Sequence, residues 1–178
     1  MLSILMPVYN EIERAEQAIR EVLATELPTD FELIIVDDGS TDGTRELLRN
    51  GDWGPLVRLI EHEHNQGKGA AIQTALREAT GEFSCIFDAD LEYDPADLGV
   101  LMPPLLEGRT NACFGVRVFD GYTSHSFAFV MGNKGVTLAC NLLFNVSLHD
   151  IMPCHKMIRT DLFKSLELSA AGFSIEPE

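Results

Sequence analysis

Basic residues are scarce in this sequence. Thirteen lysines and arginines stand against 28 aspartates and glutamates, a formal charge of −15. That balance argues against a nucleic-acid partner, whose affinity comes largely from neutralised phosphates. It argues equally against a surface held to anionic lipid by charge alone. Cysteines are few, and Cys85, Cys113, Cys140 and Cys154 show neither close pairing nor a zinc-like spacing. They read as small buried hydrophobes in a reducing compartment. No basic flank precedes Met1-Leu2-Ser3-Ile4-Leu5, which runs straight into a strand, so no secretory leader is expected and a cytosolic setting is. The longest apolar stretch, Phe127 to Val146, approaches spanning length but carries Asn133, Lys134, Asn141 and Asn145. A partly buried helix is expected there rather than a transmembrane one. Repeats, low-complexity tracts and linkers are absent. So is any G-x-G-x-x-G after the first strand, which counts against a dinucleotide-binding dehydrogenase.

What is present is alternation. The 178 residues, 46% of them hydrophobic, suffice for one domain with a proper core. Leu2 to Val8 reads as an apolar strand, and Asn10 with Glu13 reads as a capping box for the helix after it. Phe31 to Val36 and Val57 to Ile60 read as further strands, with a short helix from Thr44 between them. Ala70 to Ala79 reads as a helix, then an apolar strand climbs to Asp88. Asp94-Pro95 opens a helix toward Leu106 that Pro103-Pro104 disturbs. Ala112 to Val118 reads as a strand, Phe127 to Asn145 as a long helix and Asp161 to Leu166 as a short one. Strands apolar throughout, alternating with helices, predict an α/β fold with a mostly parallel sheet covered on both faces. In such sheets ligands gather beyond the carboxyl ends of the strands, where three of the first four strands here end in Asp-, Asn- or Glu-rich clusters.

The chemistry centres on Cys85-Ile86-Phe87-Asp88-Ala89-Asp90-Leu91-Glu92. Residues two apart in a strand share a side, so Asp88 and Asp90 are expected to aim at one point. Carboxylates that share a point repel unless a cation lies between them, and hard oxygen ligands suit Mg2+ or Mn2+. By itself such a pair is an acidic turn; its company decides. The company is Pro7-Val8-Tyr9-Asn10-Glu11, Val36-Asp37-Asp38-Gly39-Ser40-Thr41-Asp42-Gly43-Thr44, Asn65-Gln66-Gly67-Lys68-Gly69-Ala70-Ala71 and Asp88-Ala89-Asp90-Leu91-Glu92-Tyr93-Asp94-Pro95. Gly115-Val116-Arg117, Gly132-Asn133-Lys134 and Gly172-Phe173 to Glu176-Pro177-Glu178 follow in order.

Over essentially its whole length this sequence resembles the family-2 glycosyltransferases of GT-A fold, and within them the polyprenyl- or dolichyl-phosphate sugar transferases. The resemblance implies one catalytic domain over 1–178, a nucleotide-sugar half over 1–118 and an acceptor half over 119–178. It implies a metal-dependent, inverting transfer of a hexose from a UDP-glucose- or GDP-mannose-type donor to a polyprenyl phosphate, or else a glycan. Pro7, Tyr9 and Glu11 would shape the nucleoside pocket, Val36 and Ala89 would contact substrate, and Asp38, with Asp37 beside it, would accept from the base. Uracil and guanine both offer a ring N–H, so that contact leaves the base open. Lys68 and Arg117 would meet the phosphates. Asp88, Asp90 and Glu92 would hold the metal, Asp90 also counting as catalytic, and Asp88 is alternatively a ribose or sugar contact. Asp150 would orient or deprotonate the acceptor.

The run Asp150-Ile151-Met152-Pro153-Cys154-His155-Lys156 departs from the relatives' Asp-Met-Glu-Thr-Cys-Tyr-Lys, so acceptor handling differs. His155 and Lys156 read as a solvated pair that can also meet a phosphate, and His62 and His64 as rim residues. Relatives in this branch continue past Glu-Pro-Glu with acceptor-side and membrane-associated segments, so the acceptor half is expected to be incomplete. A nucleotide-sugar-binding module without transfer is the alternative. A sugar-1-phosphate nucleotidyltransferase fits less well, because Leu2 to Glu11 has no Gly-rich, Arg-containing phosphate loop. Contact with the inner face of a membrane and self-association stay open.

Overall fold

The computed structural model describes residues 1–115, 127–150, 155–172 and 175. Strands β1 (Leu2–Val8), β2 (Phe31–Asp37), β3 (Val57–Glu61), β4 (Phe83–Ile86), β5 (Ala112–Phe114) and β6 (Lys156–Arg159) form one sheet in the order β3-β2-β1-β4-β6-β5. The first four run parallel, with Leu2 opposite both Phe31 and Phe83. β6 enters antiparallel to β4 and to β5. The helices are α1 (Ala15–Ala24), α2 (Thr44–Asn50), α3 (Lys68–Glu78), α4 (Asp97–Leu101), α5 (Pro103–Leu106), α6 (Phe127–Phe144) and α7 (Thr160–Ser165).

The unbroken apolar strands have a simple cause: each face of the sheet has its own core. Alternate residues of β1 and β2 point to opposite sides. Leu2, Ile4, Met6, Leu33 and Ile35 pack with Ile19 and Val22 of α1, Leu48 of α2 and Leu98 of α4. Leu5, Ile34 and Val36 pack with Ala71, Ile72 and Ala75 of α3, Phe163 of α7 and Ile175. Fully burying each such aliphatic side chain stabilises the fold by about 1.5–3 kcal/mol. The polar Ser3, fully buried on β1, is satisfied: it donates to Glu32 at 2.7 Å and accepts from the Gly81 N–H at 2.8 Å.

Three local expectations are corrected. The Asn10–Glu13 capping box does not form: Asn10 takes a left-handed φ of 55°, its side chain accepts from the Thr41 N–H, and α1 starts at Ala15 without a side-chain cap. β4 ends at Ile86, so Asp88 and Asp90 stand beyond the strand rather than on its last turn of pleat. Lys156–Arg159, which the sequence assigned to no element, is an internal strand of the sheet. Pro103-Pro104 does interrupt the helix toward Leu106, splitting it into α4 and α5. Among the described residues no helix is long and apolar enough to cross a membrane.

Candidate functional site

β1 lies between β2 and β4, so the chain leaves the sheet in opposite directions on either side of it. That switch point is where open α/β sheets bind ligands. A pocket of about 400 Å³ opens there. Pro7, Val8, Tyr9 and Glu11 line it from the end of β1, and Asp38 from the end of β2. The β3–α3 connection brings Asn65, Gly67 and Lys68; the turn after β4 brings Asp88, Ala89 and Asp90; Gly172 completes the wall.

The Asp37-Asp38-Gly39-Ser40-Thr41-Asp42-Gly43-Thr44 run holds this rim together more than it faces the pocket. Fully buried Asp37 pairs with Arg45 Nε at 2.7 Å and accepts from the Ser40 N–H, so it is a structural carboxylate rather than a base contact. Ser40 accepts from the Asn10 N–H, Thr44 from the Glu11 N–H and Asp42 from the Ile12 N–H. Slight burial of Asp42 would raise its pKa, but hydrogen bonds from Thr44 and Ile12 outweigh this and hold it below the ordinary value. Gly39 sits at φ 78°, and a Cβ there would lie 2.5 Å from the backbone of His64 and Asn65. The β1–α1 loop is thus stitched to the loops after β2 and β3.

Asp38 is nearly enclosed at 2% exposure and is bound on three sides. Oδ1 accepts from the Gln66 N–H at 2.9 Å and meets His62 Nδ1 at 2.7 Å; Oδ2 accepts from the Gly67 N–H at 2.8 Å. His62 is therefore no rim residue: it is buried, with Nε2 3.0 Å from Thr74 Oγ1 on α3. The start of α3 is likewise committed. Its Ala70 N–H donates to the Ala171 carbonyl, and the backbone of 170–171 crosses so close that a Cβ on Gly69 would lie 2.0 Å from the Ala170 oxygen. Lys68, rather than bare helix N–H groups, is what α3 offers a phosphate.

Lys68 Nζ lies 2.8 Å from Asp88 Oδ2, with both side chains mostly buried. Asp90 Oδ1 accepts from the Glu92 N–H at 3.0 Å, and Leu91 takes a φ of 62°. This tight turn, not strand alternation, is what brings Asp88 and Asp90 to one pocket. It also turns Glu92 out to solvent. Among the described residues no three His, Cys, Asp or Glu side chains gather as a metal cluster. Two carboxylates are still a fitting donor set for a hard divalent cation whose other ligands come from phosphate. Among the described lining residues, the carboxylates of Glu11, Asp38, Asp88 and Asp90 face a single lysine.

The remaining expected site residues lie elsewhere. Val36 is wholly buried in the α3-side core, because its place on β2 points it away from the pocket. Asp150 is buried and accepts from Asn133 Nδ2 of α6 at 3.0 Å, and it is not among the residues lining the pocket. Arg117 lies outside the described residues. His155 is not solvated: it is 6% exposed, stacked on Phe87 at 5.6 Å and met edge-on by Tyr93 at 4.8 Å. Burial pushes its pKa down against the opposing pull of Asp97 and Asp88. The sequence placed His62 on the rim from its alternation with His64 at a strand end and offered Asn133 only within Gly132-Asn133-Lys134, while Thr74 carries no signal of its own.

The family profile described as "Glycosyl transferase family 2" matches residues 3–167. A dodecaprenyl-phosphate galacturonate synthase of Rhizobium johnstonii is 30% identical over 94% of this chain and 50% of its own. A dolichol-phosphate mannosyltransferase of Pyrococcus furiosus is 24% identical over 98% of this chain and 50% of its own. The chain thus spans about half the length of the curated relatives it matches. Among solved structures, glucosyl-3-phosphoglycerate synthase of Mycobacterium tuberculosis with Mn2+, UDP and glucosyl-3-phosphoglycerate superposes with a TM-score of 0.75, at 23% identity, over 99% of this chain and 62% of that one. A Pyrobaculum calidifontis mannosyltransferase with GDP-mannose and Mn2+ gives 0.67, at 24% identity, over 96% and 47%. Both likenesses are of fold.

Proposed function

This chain belongs to glycosyl transferase family 2 and has the GT-A fold, and from that premise we propose that it transfers a hexose, with inversion, from a nucleoside-diphosphate sugar to a polyprenyl phosphate. The observation that carries the reading is the pocket at the β1 switch point, where Asp38, Lys68, Asp88 and Asp90 converge from three separate loops. Half-exposed Tyr9 and Pro7 offer flat apolar surface to a nucleobase, and Asp38 accepts from its ring N–H. Lys68 supplies a donor and a positive charge to the diphosphate. Asp88 and Asp90 would hold Mg2+ or Mn2+, which supplies charge stabilisation to the departing diphosphate. Relatives named for dodecaprenyl- and dolichol-phosphate substrates support the acceptor class.

Asp150 orients that acceptor from its anchorage on Asn133. A lipid phosphate is already anionic, so no strong general base is required. Its apolar tail has a matching surface on the same helix, where Leu138, Leu142, Leu143 and Phe144 are 59–78% exposed. Such a reaction belongs at the cytoplasmic face of a membrane, where the two substrates meet. One observation favours the second reading, a module that binds donor without transferring it: Asp150 is absent from the pocket lining.

Calorimetric titration of UDP- and GDP-sugars with Mn2+ tests the donor half. We expect micromolar binding that the Asp90→Ala variant weakens at least tenfold. Absence of binding by every donor, or unchanged binding in the variant, would reject it. Label transfer from donor to a short polyprenyl phosphate then separates enzyme from module; binding without transfer supports the module.

A further inference from the structure

We propose that His62 is a positioning residue that turns Asp38 into a reader of a single donor, so that the pocket takes uridine diphosphate in preference to guanosine diphosphate. The inference rests on the donor reading above, in which Asp38 meets the base, and it adds what that reading leaves open.

The argument is an accounting of lone pairs. An ionised carboxylate accepts and cannot donate, and its two oxygens offer about four acceptor positions. Three are occupied by described residues. Oδ1 holds both the Gln66 N–H and His62 Nδ1; Oδ2 holds the Gly67 N–H. The free position is on Oδ2, in a side chain that lines the pocket. An ionised Asp38 makes Nδ1 of His62 the donor to it, and Nε2 on the far side of the ring meets the Thr74 hydroxyl. Thr74 thereby anchors the far side of the ring, and α3 is tied to the carboxylate through the imidazole.

The two candidate bases ask different things of Asp38. Uracil presents one ring N–H flanked by carbonyls, which a single open position satisfies. Guanine presents its ring N–H beside an exocyclic amino group, a donor pair that a carboxylate meets with one oxygen each. Here the second oxygen is already full, so one guanine donor would be buried without a partner, and leaving a buried donor unmade is what discriminates most strongly between ligands.

Equilibrium titration of UDP and GDP, each with Mn2+, tests this in the unaltered protein. UDP should bind at least tenfold more tightly. Equal or tighter GDP binding would overturn the inference while leaving the donor reading intact; failure of both nucleotides would instead reject the donor reading. His62→Asn places an amide N–H where Nδ1 stands and should keep the ratio. His62→Ala opens Oδ1 and should cut the ratio at least threefold, with GDP gaining relative to UDP. A folded His62→Ala protein with an unchanged ratio would remove His62 from the role. Should that variant fail to fold, Thr74→Val replaces it: without the hydroxyl at Nε2 the ring is no longer held against Oδ1, and a ratio unchanged there would count against the proposal equally.

Discussion

At the scale of single residues, some side chains that look chemical in the sequence are structural in the fold. Asp37 is the clearest case: it is wholly buried, and Arg45 is its counter-charge. Arg45 also donates to the His62 carbonyl, which ties β2 to the end of β3. Removing one partner of a buried pair strands the other charge, so Arg45→Met should cost about 3–5 kcal/mol of stability, read from urea unfolding. His155 makes a different prediction. Its folded pKa lies below the ordinary 6.5, because burial between Phe87 and Tyr93 disfavours the charged ring. As pH falls, the unfolded chain takes up that proton first. The stability given by the neutral ring is therefore full above about pH 6.5 and is lost as pH drops toward the depressed value. Wild-type protein should lose melting temperature between pH 7 and 5 more steeply than His155→Phe. Parallel curves would show that the ring does not titrate in that window. The depressed carboxylates Asp42 and Glu61 act only at lower pH, so they leave this window clear.

At the scale of elements, what was legible followed from pattern, and what was not followed from long-range contact. Apolar runs gave β1 to β4 because both faces of the sheet are covered, and a helical stripe gave α3. Lys156–Arg159 escaped notice because four residues with charges at both ends carry no periodic signal; only pairing with Phe83–Cys85 and Ala112–Phe114 makes them a strand. The helix α6 was legible in extent but not in face. Asn133 and Thr137, one turn apart, are buried, while Leu138, Leu142 and Leu143 are exposed. Gly67 and Gly69 read as a loop-to-helix joint, and the positive φ of Gly67 bears that out, but the sequence could not reveal the 170–172 backbone lying across them. That crossing is testable. A Cβ on Gly69 would meet the Ala170 oxygen at 2.0 Å, whereas one on Gly99 meets nothing nearer than 3.8 Å. Gly69→Ala should destabilise by about 1–3 kcal/mol through overpacking. Because Gly172 lines the pocket, it should also weaken nucleotide binding. Gly99→Ala should do neither, and similar behaviour of the two variants would refute the crossing.

At the scale of the whole molecule, charge and site pull against each other. The chain carries −15, and among the described lining residues of its pocket the carboxylates of Glu11, Asp38, Asp88 and Asp90 face the ammonium of Lys68. Legibility was uneven here too: the order of acidic clusters along the chain foretold the pocket, but not that Asp37 is spent on arginine and backbone or that three acceptor positions of Asp38 are taken by His62 and backbone N–H groups. A nucleoside diphosphate brings more negative charge into this surface, so its binding should depend on a divalent cation far more than a neutral ligand's would. Mass action makes the dependence measurable, since a ligand at one hundred times its dissociation constant stabilises the folded state by ~2.7 kcal/mol. For a chain of this size, where 1 kcal/mol moves the midpoint by about 2–4 °C, that corresponds to a rise of roughly 5–11 °C in melting temperature. UDP with Mn2+ or Mg2+ should produce a shift of that order. UDP with a chelator should produce a small fraction of it, and the metal alone less still. A full shift in the chelated sample would mean that Lys68 suffices for the diphosphate, and Asp88 and Asp90 would lose their place as cation ligands.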